Sequence, residues 1–549
     1  MTPTFRTPWF VFVALAAALM VPSGVAAQSA PAGPTPVPRF TGPLPVTATS
    51  YPYGAANTLL EPMDLAAIGY VEEEYLVSGT ANVYDWARTG DLTVRHARAP
   101  YTTRILVRRP SDAARFSGHV IVEIMHNPFG QDFSLMWGWT HQGLIERRDA
   151  YVAISEFPSG IAALKRFDPV RYGRLSFANP DPNEACGPLP MNQGRPLFNV
   201  NNDPSMEEGL RWDAISQVGA LLKSTVPNRP LAALKVERLL MTAQDNTVIT
   251  YINAIHRHAR LASGQSVYDG YVVKGYTRPY RIRRCAPALE AGDPRIIIRN
   301  VGVPVIHLQM EGDFPNVLET RRDDSDAPGD PFRLYEIPGT AHFDSAPYRR
   351  GFPSVKDMSN GGYDSPIRTL PPDLLAHTFV TPFPEPGVAK CIPEVTTEQP
   401  QLGWVMDTAF AHLSDWVRRG VAPPKYPRLE IEGLGTPQAK VTLDQYGNGV
   451  GGFRTPYVDV PYATYHMHHD GNAPLCRQFG WEERFDWTKM QAIHGSYKNF
   501  AAKVEQSVAK AVEEGRLTAS AGEKVKKDML SVVPARPNRV GPGLDAYRR

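Results

Sequence analysis

The chain has 549 residues, 42% of them hydrophobic, with 58 basic and 56 acidic side chains and a formal net charge of +2. Such a balance gives no electrostatic case for a nucleic-acid partner or an anionic membrane surface. The length suffices for one large core or two, and the 52 prolines point to long ordered connections rather than disorder.

Residues 1–27 read as a secretory signal, in which Arg6 precedes an apolar run from Trp9 to Val21 and the small-residue triplet Val25-Ala26-Ala27. Cleavage is expected before Gln28, giving an exported chain, periplasmic or secreted. The apolar run is shorter than the roughly 20 residues of a spanning helix and no later stretch reaches that length, so no membrane span is expected. Residues 28–45 are rich in Pro and Ala and read as a linker. The main domain is expected over 46–425, and 426–549 as a C-terminal extension packed on it.

From Ile68 to Val107 come strand-like runs such as Glu72–Val77 and Thr103–Val107, broken at Gly79, Gly90 and Pro100, an antiparallel edge. Continuous apolar strands then alternate with helical segments: His119–Met125, Ala150–Ser155, Arg238–Thr242, Tyr271–Val273, Val303–Gln309 and Phe332–Ile337. Unbroken apolar strands of this kind are buried on both faces, and the alternation predicts an α/β fold with a doubly wound, mostly parallel sheet. Helices are expected over Trp212–Leu222, Val248–Ala259 and Leu402–Arg419, and a long amphipathic one through Met490, Ile493, Tyr497, Phe500, Val504 and Val508 to Gly515. Two stretches break the pattern, near 166–204 and 348–399. Both are dense in Pro and are expected as insertions capping the strand ends where ligands bind. Four widely spaced cysteines, Cys186, Cys285, Cys391 and Cys476, allow three pairings and suit disulfides in an oxidising compartment.

Three strands end in side chains that can do chemistry. Arg238–Thr242 leads to Ala243-Gln244-Asp245, Val303–Gln309 to Glu311-Gly312-Asp313, and Phe332–Ile337 to Pro338-Gly339-Thr340-Ala341-His342. Hydrolytic sites on such sheets can be built from a nucleophile, an acid and a histidine at strand ends, and this chain offers one candidate for each in that order. Each residue also has a plain structural reading. Asp245 could cap the helix that follows, Asp313 could open a loop, and His342 could be a histidine held by a carbonyl. The run His466-Met467-His468-His469 could ligate zinc but lacks a complete ligand set, and His256 and His258 read as surface residues. No metal and no cofactor is expected, and the partner is a small-molecule substrate.

The segments 120–127 (VIVEIMHN), Arg171-Tyr172-Gly173, 250–256 (TYINAIH), 303–313 (VPVIHLQMEGD), 338–344 (PGTAHFD), the run from Asp415 to Pro424, and the glycine-rich run from Tyr446 to Pro461 together resemble the alpha/beta hydrolase domain proteins, distantly similar to tannase-type esterases. The resemblance runs from about Tyr70 to about Leu530. It implies the α/β-hydrolase fold, with Asp313 as the triad acid and His342 as the base. At the nucleophile the chain departs from the family's Gly-x-Ser-Gln turn: counting forward puts Asp245 in the serine's place, counting back from 250–256 lands near Thr242, and aligning Gln244 with the family's glutamine puts Ala243 there. No count finds a serine.

Three explanations follow: Asp245 is a nucleophilic carboxylate, as in hydrolases of epoxides and haloalkanes; Thr242 or a serine from elsewhere attacks an ordinary ester; or the site is degenerate and only binds. The loop His126 to Gly130, with Asn127, and the backbone N–H of Asn246 are the expected oxyanion donors. Hydrolysis of a carboxylic ester or related electrophile is the expected activity.

Overall fold

Runs of Val, Ile and Leu without alternation form the centre of a single large sheet in the computed structural model of the protein, which describes residues 28–29, 33–87, 90–127, 130–187, 191–192, 195–196, 203–244, 246–275, 281–290, 292–344, 346–362, 401–470 and 478–532. Its strands are β1 (Arg39–Thr41), β2 (Tyr70–Trp86), β3 (Leu92–Pro110), β4 (His119–Ile124), β5 (Ala150–Ile154), β6 (Arg238–Gln244), β7 (Gly270–Lys274), β8 (Val305–Met310) and β9 (Phe332–Ile337). They lie side by side in the order β9-β8-β7-β6-β4-β5-β3-β2-β1, with the short piece Gln28–Ser29 pairing with β3. From β5 to β9 along this path every pairing is parallel, and β3, β2 and β1 add an antiparallel edge. Every residue of β4, β5, β7, β8 and β9 is buried. Two apolar clusters explain this. One packs Trp212, Val218 and Tyr251 on one face, and the other packs Trp137, Met406 and Phe410 on the opposite face.

The antiparallel edge is more continuous than the sequence suggested. Gly79 and Pro100 lie inside β2 and β3, where Gly79 pairs with Tyr101 and Thr80 with Pro100. Gly79 is needed there for close approach rather than for a turn: a Cβ would meet the Gln217 side chain at 2.3 Å and the Tyr101 ring at 2.9 Å. The long C-terminal helix is also two helices, Trp487–His494 and Tyr497–Glu513. They are divided at Gly495, whose φ of 79° ends the first, while Ser496 accepts from the Asn499 N–H and starts the second. A further helix, Ala519–Leu530, follows.

The glycine-rich run after Tyr446 borders the sheet's outer edge at β9. Phe453 N–H donates to the Glu336 carbonyl at 2.6 Å, and the Glu336 carboxylate accepts from Leu429 N–H at 2.7 Å. Gly452 is required by this approach: its φ is 73° and a Cβ would lie 2.5 Å from the Glu336 carbonyl oxygen. Cys186 and Cys285 form a disulfide joining the first insertion to the segment after β7. Cys391 and Cys476 lie outside the described residues, as do the signal segment 1–27 and most of the second insertion. No helix among the described residues is long and apolar enough to cross a membrane.

Candidate active site

Parallel strands bring their carboxyl ends to one edge of the sheet, so residues just beyond β6, β8 and β9 meet there although nearly 100 residues separate the first from the last. Asp313 follows β8 in a single 3-10 turn, Glu311–Asp313, and His342 follows β9. The two come together. His342 Nδ1–H donates to Asp313 Oδ1 at 2.5 Å, and both side chains are buried. With Nδ1 protonated, Nε2 carries the basic lone pair. It faces the end of β6, where the Gln244 amide Nε2 lies 3.2 Å away and donates to it. Asp245 itself lies outside the described residues, and so does the Asn246 side chain. The Asn246 backbone begins the helix Asn246–Thr250, which continues as a π-turn over Tyr251–Ile255.

β6 runs two residues further than the sequence reading, to Gln244. Thr242 and Ala243 are therefore strand residues, paired with Val272 and Val273 of β7 and with Glu123 and Ile124 of β4. Thr242 has 0% exposure, and its Oγ1 has no hydrogen-bond partner among the described residues.

The histidine loop is fastened to the acid turn. Gly312 N–H donates to the Thr340 carbonyl at 2.9 Å, and the Glu311 carboxylate accepts from Gly339 N–H at 2.7 Å. A Cβ on Gly312 would meet Ala341 Cα at 2.8 Å and the His342 nitrogen at 2.9 Å, so only glycine permits this contact. Burial, opposed by the Gly339 N–H, pushes the Glu311 carboxyl up to about 7. On its far side the loop meets the C-terminal extension: Phe343 N–H donates to the Gln478 carbonyl at 2.8 Å, and the Phe343 and Phe479 rings stack with centroids 5.7 Å apart.

His126, in the loop after β4, is held neutral, its pKa pushed down to about 3 by burial first, with the neighbouring His342 and Lys274 also opposing its protonation. The Asn127 side chain is engaged on both sides, donating to Asp132 of its own loop at 3.2 Å and accepting from Ser159, in the helix Pro158–Phe167 after β5, at 2.7 Å. Glu156, after β5, is pushed up to about 7 by burial against the opposing Arg211 charge. It accepts from Thr247, in the first turn of the helix that follows β6, at 3.3 Å.

Sequence reading missed Gln244 as a partner of the base, and also Lys274, Trp139 and Phe479. Their signal is positional, since each needs the strand order before it can be placed beside His342. His256, expected at the surface, is instead buried beneath the sheet, where its Nδ1 meets the Tyr271 hydroxyl at 2.6 Å. His466 stacks on Trp481 with ring centroids 3.9 Å apart and pairs with Glu483 at 3.0 Å, while His469 Nε2 meets the Gly480 carbonyl at 3.2 Å. A cleft of about 350 Å³ lined by Thr80, Asn82, Asp213 and His258 lies elsewhere and includes neither Asp313 nor His342.

The sequence model of the alpha/beta hydrolase domain family matches residues 40–527. The chain belongs to that family. The alpha/beta hydrolase domain thus takes in the histidine loop, the acid turn and most of the C-terminal extension. Among solved structures the domain is similar to a proposed dienelactone hydrolase from Klebsiella pneumoniae subsp. pneumoniae MGH 78578, at 12% identity over 52% of this chain and 95% of that one, with a TM-score of 0.25. It is also similar to a glucuronoyl esterase from Solibacter usitatus, at 8% identity over 56% and 83% of the two chains with a TM-score of 0.25. Esterase Est22 aligns at 11% identity over 46% and 68%, with a TM-score of 0.23. Likenesses this distant say nothing about substrate. No curated protein matches the chain.

Proposed function

We propose that the protein is an exported hydrolase of a small or medium-sized carboxylic ester or related electrophile, with His342 as general base, Asp313 orienting it and Asp245 at the nucleophile position. The observation that carries this reading is the aim of His342. Its Nδ1–H is taken by Asp313 at 2.5 Å, and its basic Nε2 faces Gln244, the residue before Asp245, at 3.2 Å. Thr242 suits the role of nucleophile poorly, being buried inside a strand hydrogen-bonded on both sides.

In this reading the Asp245 carboxylate attacks the carbon of an epoxide or haloalkane, forming an alkyl ester as the bond to the ring oxygen or halide breaks. On a carboxylic ester it attacks the acyl carbon, forming a mixed anhydride as the C–O bond to the alcohol breaks and the departing oxygen takes a proton from solvent. His342 Nε2 then takes a proton from a water that attacks the Asp245 carbonyl. Breakdown returns the carboxylate with one solvent oxygen and expels an alkoxide, which leaves as an alcohol with the proton held by His342; a mixed anhydride instead expels the substrate's carboxylate, and the His342 proton passes to solvent. Backbone N–H groups of the loop at Asn127 and of Asn246 would stabilise the oxyanion formed in that second step. The hydrophobic leader over 1–27 and the Cys186–Cys285 disulfide support an oxidising, exported setting.

Turnover in ¹⁸O-labelled water followed by peptide mass spectrometry tests this mechanism. Label is expected in the peptide carrying Asp245. Turnover that leaves that peptide unlabelled would move the nucleophile elsewhere, and absence of turnover on esters, epoxides and haloalkanes alike would favour a binding protein on the same fold.

A further inference from the structure

Lys274 is the last residue of β7, the strand lying between β6 and β8, and it is in register with Gln244. A lysine at that place is unexpected on physical grounds, because its side chain has 0% exposure and burying an ammonium costs several kcal/mol unless it is compensated. The compensation is specific. Lys274 Nζ donates to the His342 carbonyl at 2.6 Å and lies over two aromatic faces, 4.5 Å from the Trp139 ring centroid and 4.9 Å from that of Phe343. The Trp139 indole N–H in turn donates to Asp344 at 3.0 Å, and the Trp139 and Phe343 rings stack with centroids 5.9 Å apart. The ammonium therefore reaches the histidine loop from below, through the carbonyl of the base itself and the ring of the residue after it. Among the described residues, His342 accepts from it through its carbonyl, His126 feels its charge from the loop after β4, and Asp344 is joined to it through Trp139.

Packing alone gives no reason for a cation here, since an apolar side chain would fill a buried strand end without desolvating a charge. We propose that Lys274 is a positioning residue, whose ammonium fixes the main chain of His342 so that the imidazole keeps its bond to Asp313 and its aim at the end of β6. The functional consequence rests on the reading of His342 as the base. The positioning itself does not, and the two are separable by experiment.

The test uses the full mature chain with Lys274→Met, Lys274→Gln and Lys274→Arg, read in two ways. The first is the far-downfield imidazole N–H proton resonance of the short His342–Asp313 bond, assigned by its loss in His342→Ala. The second is kcat and KM on whichever substrate the wild type hydrolyses. Lys274→Met is expected to shift or broaden the resonance and to lower kcat at least tenfold with KM within about twofold. Lys274→Arg, which keeps charge and donors, is expected to restore most of both, with Lys274→Gln between them. Should Lys274→Met not fold, Lys274→Gln carries the comparison. A resonance at the wild-type position in the folded neutral variants would overturn the proposal. A resonance that moves in a protein without turnover would uphold the positioning and reject only the hydrolase reading.

Discussion

His342 is set by contacts on three sides: Asp313 holds its ring, Lys274 its carbonyl, and the Gly312–Thr340 hydrogen bond the loop just before it. Two substitutions separate the catalytic reading from its rivals at this scale. Thr242→Val removes a buried hydroxyl that has no partner among the described residues, so stability should change by less than about 1 kcal/mol and turnover should persist. Loss of activity in a folded Thr242→Val variant would make Thr242 the nucleophile. Gly312→Ala places a methyl group 2.8 Å from Ala341 Cα and must push the acid turn and the histidine loop apart. Displacements on the order of 1 Å in a catalytic constellation cost about 10²-fold in rate, so kcat should fall by that order, measured beside a thermal melt showing that the protein still folds.

At the scale of elements, what was legible in the sequence follows from periodicity. The mostly apolar segments 119–124, 305–310 and 332–337 pointed to buried parallel strands, and Asp313 and His342 follow the last two of them. Features decided by approach between distant elements were not legible. Gly79 read as a breaker because the sequence does not show Gln217 and Tyr101 pressed against it. The stripe from Met490 to Val508 read as one helix because the apolar spacing carries across Gly495, and only the φ of 79° at that residue reveals the break. Lys274 fell just outside the strand read over Tyr271–Val273, and the rings and carbonyl that hold its ammonium come from segments far away in sequence. The Cys186–Cys285 bond joins segments 99 residues apart in sequence. Its removal by Cys186→Ser should lower unfolding free energy by about 2–4 kcal/mol in denaturant titration. An unchanged midpoint would show that the two segments are held together without it.

For the whole molecule, buried ionisable groups set the response to pH. Burial raises Glu123, Glu156, Glu311 and Asp407 to about 7. Their stabilising contribution is complete below their unfolded values near 4 and is lost as pH rises through 7. Burial lowers His126 and His256 to about 3, and His141 and His307 to about 4. Their contribution is present above the unfolded value near 6.5 and is lost as pH falls toward 3. Between about pH 4.5 and 6.5 the two sets oppose each other. Below that window the carboxyls are protonated in both states and only the histidine contribution still changes. Melting temperature should therefore vary little from pH 6.5 to 5 and fall steeply from pH 4.5 to 3, and a fall already steep between pH 6.5 and 5 would mean that the carboxyls do not offset the histidines.

If His342, aimed by Asp313 toward the end of β6, is the base of a hydrolase, its removal must abolish turnover. The measurement that tests it most directly is turnover by the purified mature protein on p-nitrophenyl esters, epoxides and haloalkanes, compared with His342→Ala. Activity is expected on at least one class, with a loss of about 10⁴-fold or more in the variant, the scale seen when one member of a catalytic triad is removed. Turnover that survives His342→Ala within a few-fold would contradict it.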